Sequence, residues 1–285
     1  MGHHERRTER SRAWRRFRGY RPGLAGLVIV GLLIVIAIFA APLAPYEPNG
    51  IQTRLRGDAP SREHLLGNDD RGRDVLSRLI YGTRIALIVG LGATAIAVTI
   101  GVSIGATAGY FGGKVDFALS RIIDTLMAFP TLALLITLAA VLGPSLVNVI
   151  IAIGTTIWAS YARIVRADVL SLRERDYVLA ARASGAGSTR IIVRHMLPNV
   201  LGPVIVLATL GIGSIIILES ALSFLGLGIQ PPNPSWGGML SDGRAHIRNY
   251  PHIAIAPGVA IGITVLAFNL LGDGLRDALD PRQRG

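Results

Sequence analysis

The sequence contains no cysteine, which excludes disulfides, thiolate catalysis and cysteine-ligated metals. Its histidines never combine with carboxylates at metal-ligand spacing. His3 and His4 stand as a bare pair, and His246 and His252 flank an apolar run without supporting acids, so no metal is assigned. Aromatic residues are scarce, at 6%, and no basic face is interleaved with them; the net charge of +11 therefore does not read as a nucleic-acid surface. A phosphate cradle is also missing. The single lysine, Lys114, follows Gly113, but Ala108 stands where the first glycine belongs and Val115 where a hydroxyl is needed. With no supported Ser–His pair either, an intramembrane enzyme has nothing to work with.

What is present is apolar sequence in long blocks. Hydrophobic residues make up 51% of the chain and its mean hydropathy is +0.49. They gather into runs of about 20 residues or more, enough to cross a hydrocarbon core about 30 Å thick. The fold class is an all-α integral membrane protein with six transmembrane helices, expected at about 24–44, 84–109, 118–142, 146–169, 200–228 and 252–272.

Charge sets the expected orientation. Arg6, Arg7, Arg10, Arg12, Arg15, Arg16, Arg18 and Arg21 crowd around Trp14 and Phe17, either as an anchor on anionic lipid or as a solvated tail; both place the N-terminus in the cytoplasm. The loops at 110–117 and 170–199 and the C-terminal tail are then inside, and 45–83 and 229–251 outside. Arg163, Arg166, Arg173, Arg175, Arg182, Arg190 and Arg194 agree with this, as do Arg276, Arg282 and Arg284. The exception is the first outer segment, where Arg54, Arg56, Arg62, Arg71, Arg73 and Arg78 stand among Asp58, Glu63, Asp69, Asp70 and Asp74. Four parts follow: a basic tail (1–21), a first span with its outer segment (22–83), a core of five spans (84–273) and a C-terminal tail (274–285).

Particular residues carry further expectations. Leu76, Leu79 and Ile80, opposite Arg73, Asp74 and Arg78, predict an amphipathic helix on the outer surface before the second span. Asp69 and Asp70 are expected to cap that helix and pair with Arg71 and Arg73. Gly90, Gly92, Ala93, Ala97, Gly101, Gly105 and Gly109 give the second span a small-residue face for a close helix seam, within the chain or with another subunit. GYFGG (109–113) reads as a turn and Pro130 as a kink. Asp124 either lies on a functional path or pairs with Arg121; Glu219, with Ser220 and Ser223 beside it, either borders a translocation path or bonds a neighbouring helix. Gln230, Pro231, Pro232 and Trp236 form a rigid outer loop, for a docking protein or as a cap on the bundle.

Residues 173–199, RERDYVLAARASGAGSTRIIVRHMLPN, interrupt two apolar spans with sequence too polar for lipid. Tyr177, Val178, Ala181 and Ser184 recur at helical spacing, Gly185 and Gly187 break the pattern, and Ile191, Ile192 and His195 resume it until Pro198 ends it. Two short helices joined at a glycine hinge follow, the shape of a docking element.

Ala180-Ala181, Gly185 and Leu197-Pro198 resemble the cytoplasmic EAA loop of ABC importer permeases, with Leu179 in place of the acidic residue and His195 in place of isoleucine. HLLGNDDRGRDVLSRLIYGTR, GYFGGKVDFALSRIIDTLMAFP, YARIVRADVLSLRERDYVLAARASGA, ESALSFLGLGIQPPNPSWGGML and FNLLGDGLRDALDPR, in that order, resemble the C-type permease of dipeptide, oligopeptide and nickel importers. The resemblance implies a type I ABC importer permease fold and a heterodimer with a homologous B-type permease. It also implies two cytoplasmic ATPases that carry ATP and Mg, and an extracytoplasmic substrate-binding protein. This chain then binds no cofactor and performs no hydrolysis. Asp176, Tyr177, Leu179, Ala180, Ala181, Arg182, Gly185, Ala186, Leu197 and Pro198 become the loop seated on an ATPase. The location implied is a bacterial or archaeal plasma membrane with both termini inside.

An ion-gradient-driven transporter is the rival class. Its usual internal repeat is not visible, and a large basic inner loop has no role in it. Family cargoes include peptides, nickel, glutathione and other small solutes; the sequence does not choose among them, and peptide is the expectation on numbers alone.

Overall fold

The computed structural model describes residues 14–279. Arg6, Arg7, Arg10 and Arg12 of the basic tail, and Arg282 and Arg284 at the other end, lie outside the described residues.

Residues 14–19 are helical and lead into α1 (Arg21–Ile38), followed by the short α2 (Ala40–Leu43). An irregular stretch with one 3-10 turn (Thr53–Leu55) reaches the 37-residue α3 (Val75–Phe111). Then come α4 (Gly113–Ala128), α5 (Thr131–Leu142) and α6 (Leu146–Arg173). The interruption after α6 folds as α7 (Asp176–Ala183), α8 (Ser188–Ile191) and a π turn (Ile192–Met196) that runs into α9 (Leu197–Phe224). Two helices close the chain, α10 (Trp236–Arg244) and α11 (His252–Leu279).

Five helical stretches are long and apolar enough to cross a membrane: α1, α3, α6, the run ending in α9, and α11. The sixth expected span is a bent pair. α4 and α5 meet at 90° across Phe129 and Pro130, so Pro130 makes a break rather than a kink. Proline removes one amide donor and bars the preceding residue from helical geometry; Phe129 accordingly sits at φ −82°, ψ 140°.

The closest pairing in the bundle is α3 against α6, and the small residues make it possible. A Cβ on Gly101 would lie 2.6 Å from Cβ of Tyr161, one on Gly105 2.5 Å from the Ala162 carbonyl, and one on Gly109 2.8 Å from the Arg166 carbonyl. The expected seam therefore lies within the chain, one contact per helical turn. On the other side α1 packs against α11, and α9 bridges the two halves.

Several expectations are corrected. Residues 75–83 are the first turns of α3 itself, not a separate surface helix. Their polar side is buried rather than wet: Arg73, Asp74 and Arg78 are at most 5% exposed. Asp74, not Asp69 or Asp70, caps the helix by accepting from the Ser77 amide at 2.7 Å. The turn predicted at 109–113 shrinks to Gly112 and Gly113. Pro198 does not end a helix but opens α9, where a missing amide is harmless.

Candidate functional site

The interruption at 173–199 is a built element. Val178, Ile191 and Met196 are fully buried and pack with Tyr110 of α3 and Val165 and Val169 of α6. The cation of Arg182 lies over the Tyr110 ring at 5.5 Å. These contacts bolt the element to the ends of the two most closely packed helices. The other side is open: Tyr177 and Leu179 are more than 40% exposed, and Asp176 and Ala180 are exposed beside them. Two large side chains left nearly half exposed on one helix form a surface suited to being covered.

The hinge is at Gly185. Its φ of +78° lies in the left-handed region that glycine enters without steric cost. The Gly185 amide donates to the Arg182 carbonyl at 3.0 Å and the Ala186 amide to the Ala181 carbonyl at 3.1 Å, the paired bonds of a Schellman ending. Ala181 and Ala186, both half-buried, supply the apolar contact that accompanies it. A Cβ on Gly185 would meet nothing within 4 Å, so backbone conformation, not crowding, demands glycine here. Gly187 has an ordinary φ of −66° and is no hinge. Beyond it the π turn closes with a wide bond from the Leu197 amide to the Ile192 carbonyl, and Leu197 and Pro198 pass into α9. Of the four residues at helical spacing, Val178 is buried and Ala181 half-buried, while Tyr177 and Ser184 are exposed.

The residues expected on a translocation path divide. Glu219 is 1% exposed, Ser220 6% and Ser223 5%. The Ser223 hydroxyl donates to Glu219 Oε1 at 2.7 Å, and the Ser223 oxygen accepts from the Ile229 amide at 3.2 Å. Buried inside the chain, these three hold the turn between α9 and α10. Asp124 is half exposed and pairs not with Arg121 but with Arg163 of α6, at 3.0 Å. A second such bridge, absent from the sequence reading, joins the same helices: Arg166 grips Asp116 with both arms of its guanidinium, one at 2.7 Å.

The loop expected for docking is also divided. Gln230, Pro231 and Pro232 are exposed, but Trp236 is 2% exposed, with its indole N–H bonded to the Leu79 carbonyl. It caps the bundle and is not free for a partner.

Between α2 and α3 the chain forms a cap held by buried charge. Arg73 Nε lies 2.6 Å from Asp69 Oδ2, and its Nη2 reaches Asp242 of α10 at 3.1 Å. Asp69 Oδ1 accepts from the amides of Arg71 and Arg73, Arg78 donates to the Pro48 carbonyl, and His64 bonds Asp74 at 2.8 Å. Among the described residues, no group of three or more potential ligands is arranged to hold a metal. The alternating DDRGRD run was the available signal, but it named no partner on α10.

Comparison with known proteins agrees with this architecture. Residues 101–285 match the family model described as binding-protein-dependent transport system inner membrane component. Residues 9–62 match the N-terminal TM domain of oligopeptide transport permease C. The chain is 46% identical over 274 residues to the dipeptide transport system permease protein DppC of Alkalihalophilus pseudofirmus, covering 95% of this chain and 90% of that one. It is 45% identical over 280 residues to the glutathione transport system permease protein GsiD of Escherichia coli O6:K15:H31, covering 98% and 92%. The corresponding protein of Pectobacterium atrosepticum is 43% identical over 277 residues, covering 97% and 92%.

Proposed function

The chain belongs to the binding-protein-dependent transport system inner membrane components, the permeases of ABC importers, and from that footing we propose that it carries di- and oligopeptides inward at the expense of ATP hydrolysed by other subunits. It pairs with a homologous B-type permease, receives cargo from an extracytoplasmic binding protein and rests on two cytoplasmic ATPases. The chain itself is non-catalytic and binds no cofactor; ATP and Mg belong to the ATPases. The peptide assignment is supported by relatives named for dipeptide and glutathione transport. The location proposed is a bacterial or archaeal plasma membrane, with both termini in the cytoplasm as the arginine distribution favours.

The observation that carries this reading is the division of α7 into two faces. Val178 is fully buried against the bundle while Tyr177, Leu179 and Ala180 are left uncovered. An ATPase seated on the open face moves α7 when it closes on ATP, and the buried face passes that movement to α3, α6 and α9 as a rigid-body tilt. Alternating access follows: an outward cavity while ATP is held, an inward one after hydrolysis.

The absence of native cysteine in this chain gives a clean test. Ala180→Cys in the assembled importer, with single cysteines placed in the ATPase groove, is expected to cross-link there and to do so differently with and without ATP. No cross-link, together with uptake driven by an ion gradient and indifferent to ATP, would replace this reading with a secondary transporter.

A further inference from the structure

The 90° break between α4 and α5 leaves main-chain groups open. A continuous helix would bond the amides of Thr131, Leu132 and Ala133 to the carbonyls of Met127, Ala128 and Phe129, four residues back. Among the described residues none of those three amides reaches an acceptor, and none of those three carbonyls receives a donor. Residues 127–133 are exposed throughout, so the rest of the chain does not cover the gap. The break borders a hollow of about 100 Å³ whose opposite wall is α6, at Thr156, Ile157 and Ser160. Thr156 and Ser160 lie about 15–21 Å from the start of that 28-residue helix, which is mid-depth whichever end is inside. Open main chain is not tolerated against hydrocarbon at that depth; it persists where protein buries it or where it lines water.

Hydroxyls around the hollow are open as well. Elsewhere on the spans Thr99, Ser103, Thr125, Thr137 and Thr209 each donate to the carbonyl four residues back. Thr131 and Ser160 do not: among the described residues their hydroxyls have no partner, and both line the hollow. Thr156 donates to the Ala152 carbonyl at 2.7 Å, which leaves its oxygen able to accept. Met127, Leu134 and Ile157 complete the walls. A helix of a neighbouring subunit pairs its own amides and carbonyls internally and offers such a place only side chains. A short extended peptide carries a donor and an acceptor at nearly every residue, with none of them paired, and the flexible Met127 adapts to whatever side chain comes with it.

We propose that the hollow at the α4–α5 break lines the translocation path, and that Thr131, Ser160 and the open main chain of 127–133 hydrogen-bond the backbone of a passing peptide. The inference rests on the peptide-importer reading and adds to it the place and the chemistry of the contact. Contact through the peptide backbone makes the path indifferent to peptide sequence.

The test uses the complete importer in liposomes, with Thr131→Cys or Ser160→Cys as its only cysteine. Each is expected to react with a charged methanethiosulfonate supplied on both sides, at different rates in the ATP-free and vanadate-trapped complex, and more slowly when alanyl-alanine or glutathione is present. Uptake of the same two peptides, radiolabelled, is measured on variants that lose one hydroxyl. Thr131→Val and Ser160→Ala should each raise KM about fivefold, the effect of one lost hydrogen bond, at an unchanged melting temperature. Thr131→Ser keeps the hydroxyl and should return KM to the wild-type value. Labelling that neither peptide slows overturns the contact, as do wild-type KM values in both hydroxyl-free variants. Labelling only by the lipid-soluble N-phenylmaleimide would give the hollow to lipid, and labelling by neither reagent would give it to the second permease; both overturn the proposal. The peptide reading is judged on the wild type alone: if it imports neither peptide with ATP, that reading falls whatever the cysteines do.

Discussion

The indole N–H of Trp236 donates to the main-chain carbonyl of Leu79 at 3.0 Å, joining residues 157 positions apart. The bond draws α10 down onto the first turns of α3, and Arg73 to Asp242 makes a second tie beside it. This end of the bundle is therefore stapled shut by groups that a hydropathy profile assigns to two unrelated loops.

That staple should be measurable. Trp236→Phe keeps most of the buried ring and loses the hydrogen bond, at a cost of about 1 kcal/mol. Trp236→Ala also opens a cavity and should cost about 3–5 kcal/mol. Thermal unfolding of the detergent-solubilised complex orders the two, and equal melting temperatures would show that the bond contributes nothing.

Gly185 is required by its backbone. Gly185→Ala forces a Cβ into the left-handed region at about 1 kcal/mol and loosens the joint. Gly187→Ala, at φ −66° with open space around it, should be silent. Gly185→Asp adds charge to the same exposed joint and is expected to abolish transport while the subunit still assembles in the membrane. Peptide uptake beside subunit recovery reads both effects; full uptake by Gly185→Asp would remove the coupling role.

Glu219 provides a test between joint and path. Glu219→Gln retains an oxygen to accept from Ser223 and should leave uptake within about twofold of wild type. Glu219→Leu leaves the buried Ser223 hydroxyl without its acceptor and should destabilise by about 1–3 kcal/mol. Lost uptake in Glu219→Gln at an unchanged melting temperature would mean that the carboxylate acts on cargo.

The two bridges from α4 to α6 differ in shelter. Asp116–Arg166 is the less exposed and is gripped at two points; Asp124–Arg163 is more than half exposed on both sides. Double-mutant cycles should give about 1 kcal/mol for the first and close to zero for the second. Comparable values would mean that solvent screening does not decide between them.

How much was legible depended on whether a feature is local. The apolar blocks announce themselves because hydrophobic length is read along the chain, and five of the six expected spans run as single helices. The sixth was located but its 90° break was underestimated, since a proline marks where a helix can fail and not how far its halves then turn. The interruption at 173–199 was legible as two pieces around Gly185, because the left-handed turn and its paired bonds lie within six residues. Which of its side chains face outward was not: Tyr177 and Val178 are neighbours in sequence and opposites in burial.

By itself, then, the sequence determined the class, the apolar blocks, the small-residue seam and the position of the helical interruption. Each is fixed by composition over a few turns or by one residue's backbone freedom. Only the tertiary structure decided that Glu219 is sealed, that Trp236 is a staple, that Arg73 belongs to Asp242 and that Asp116 and Asp124 belong to α6. Burial and ion pairing depend on which distant segment arrives opposite a side chain. Arg73 and its partner Asp242 lie 169 residues apart, and packing of the whole bundle brings them within 3.1 Å.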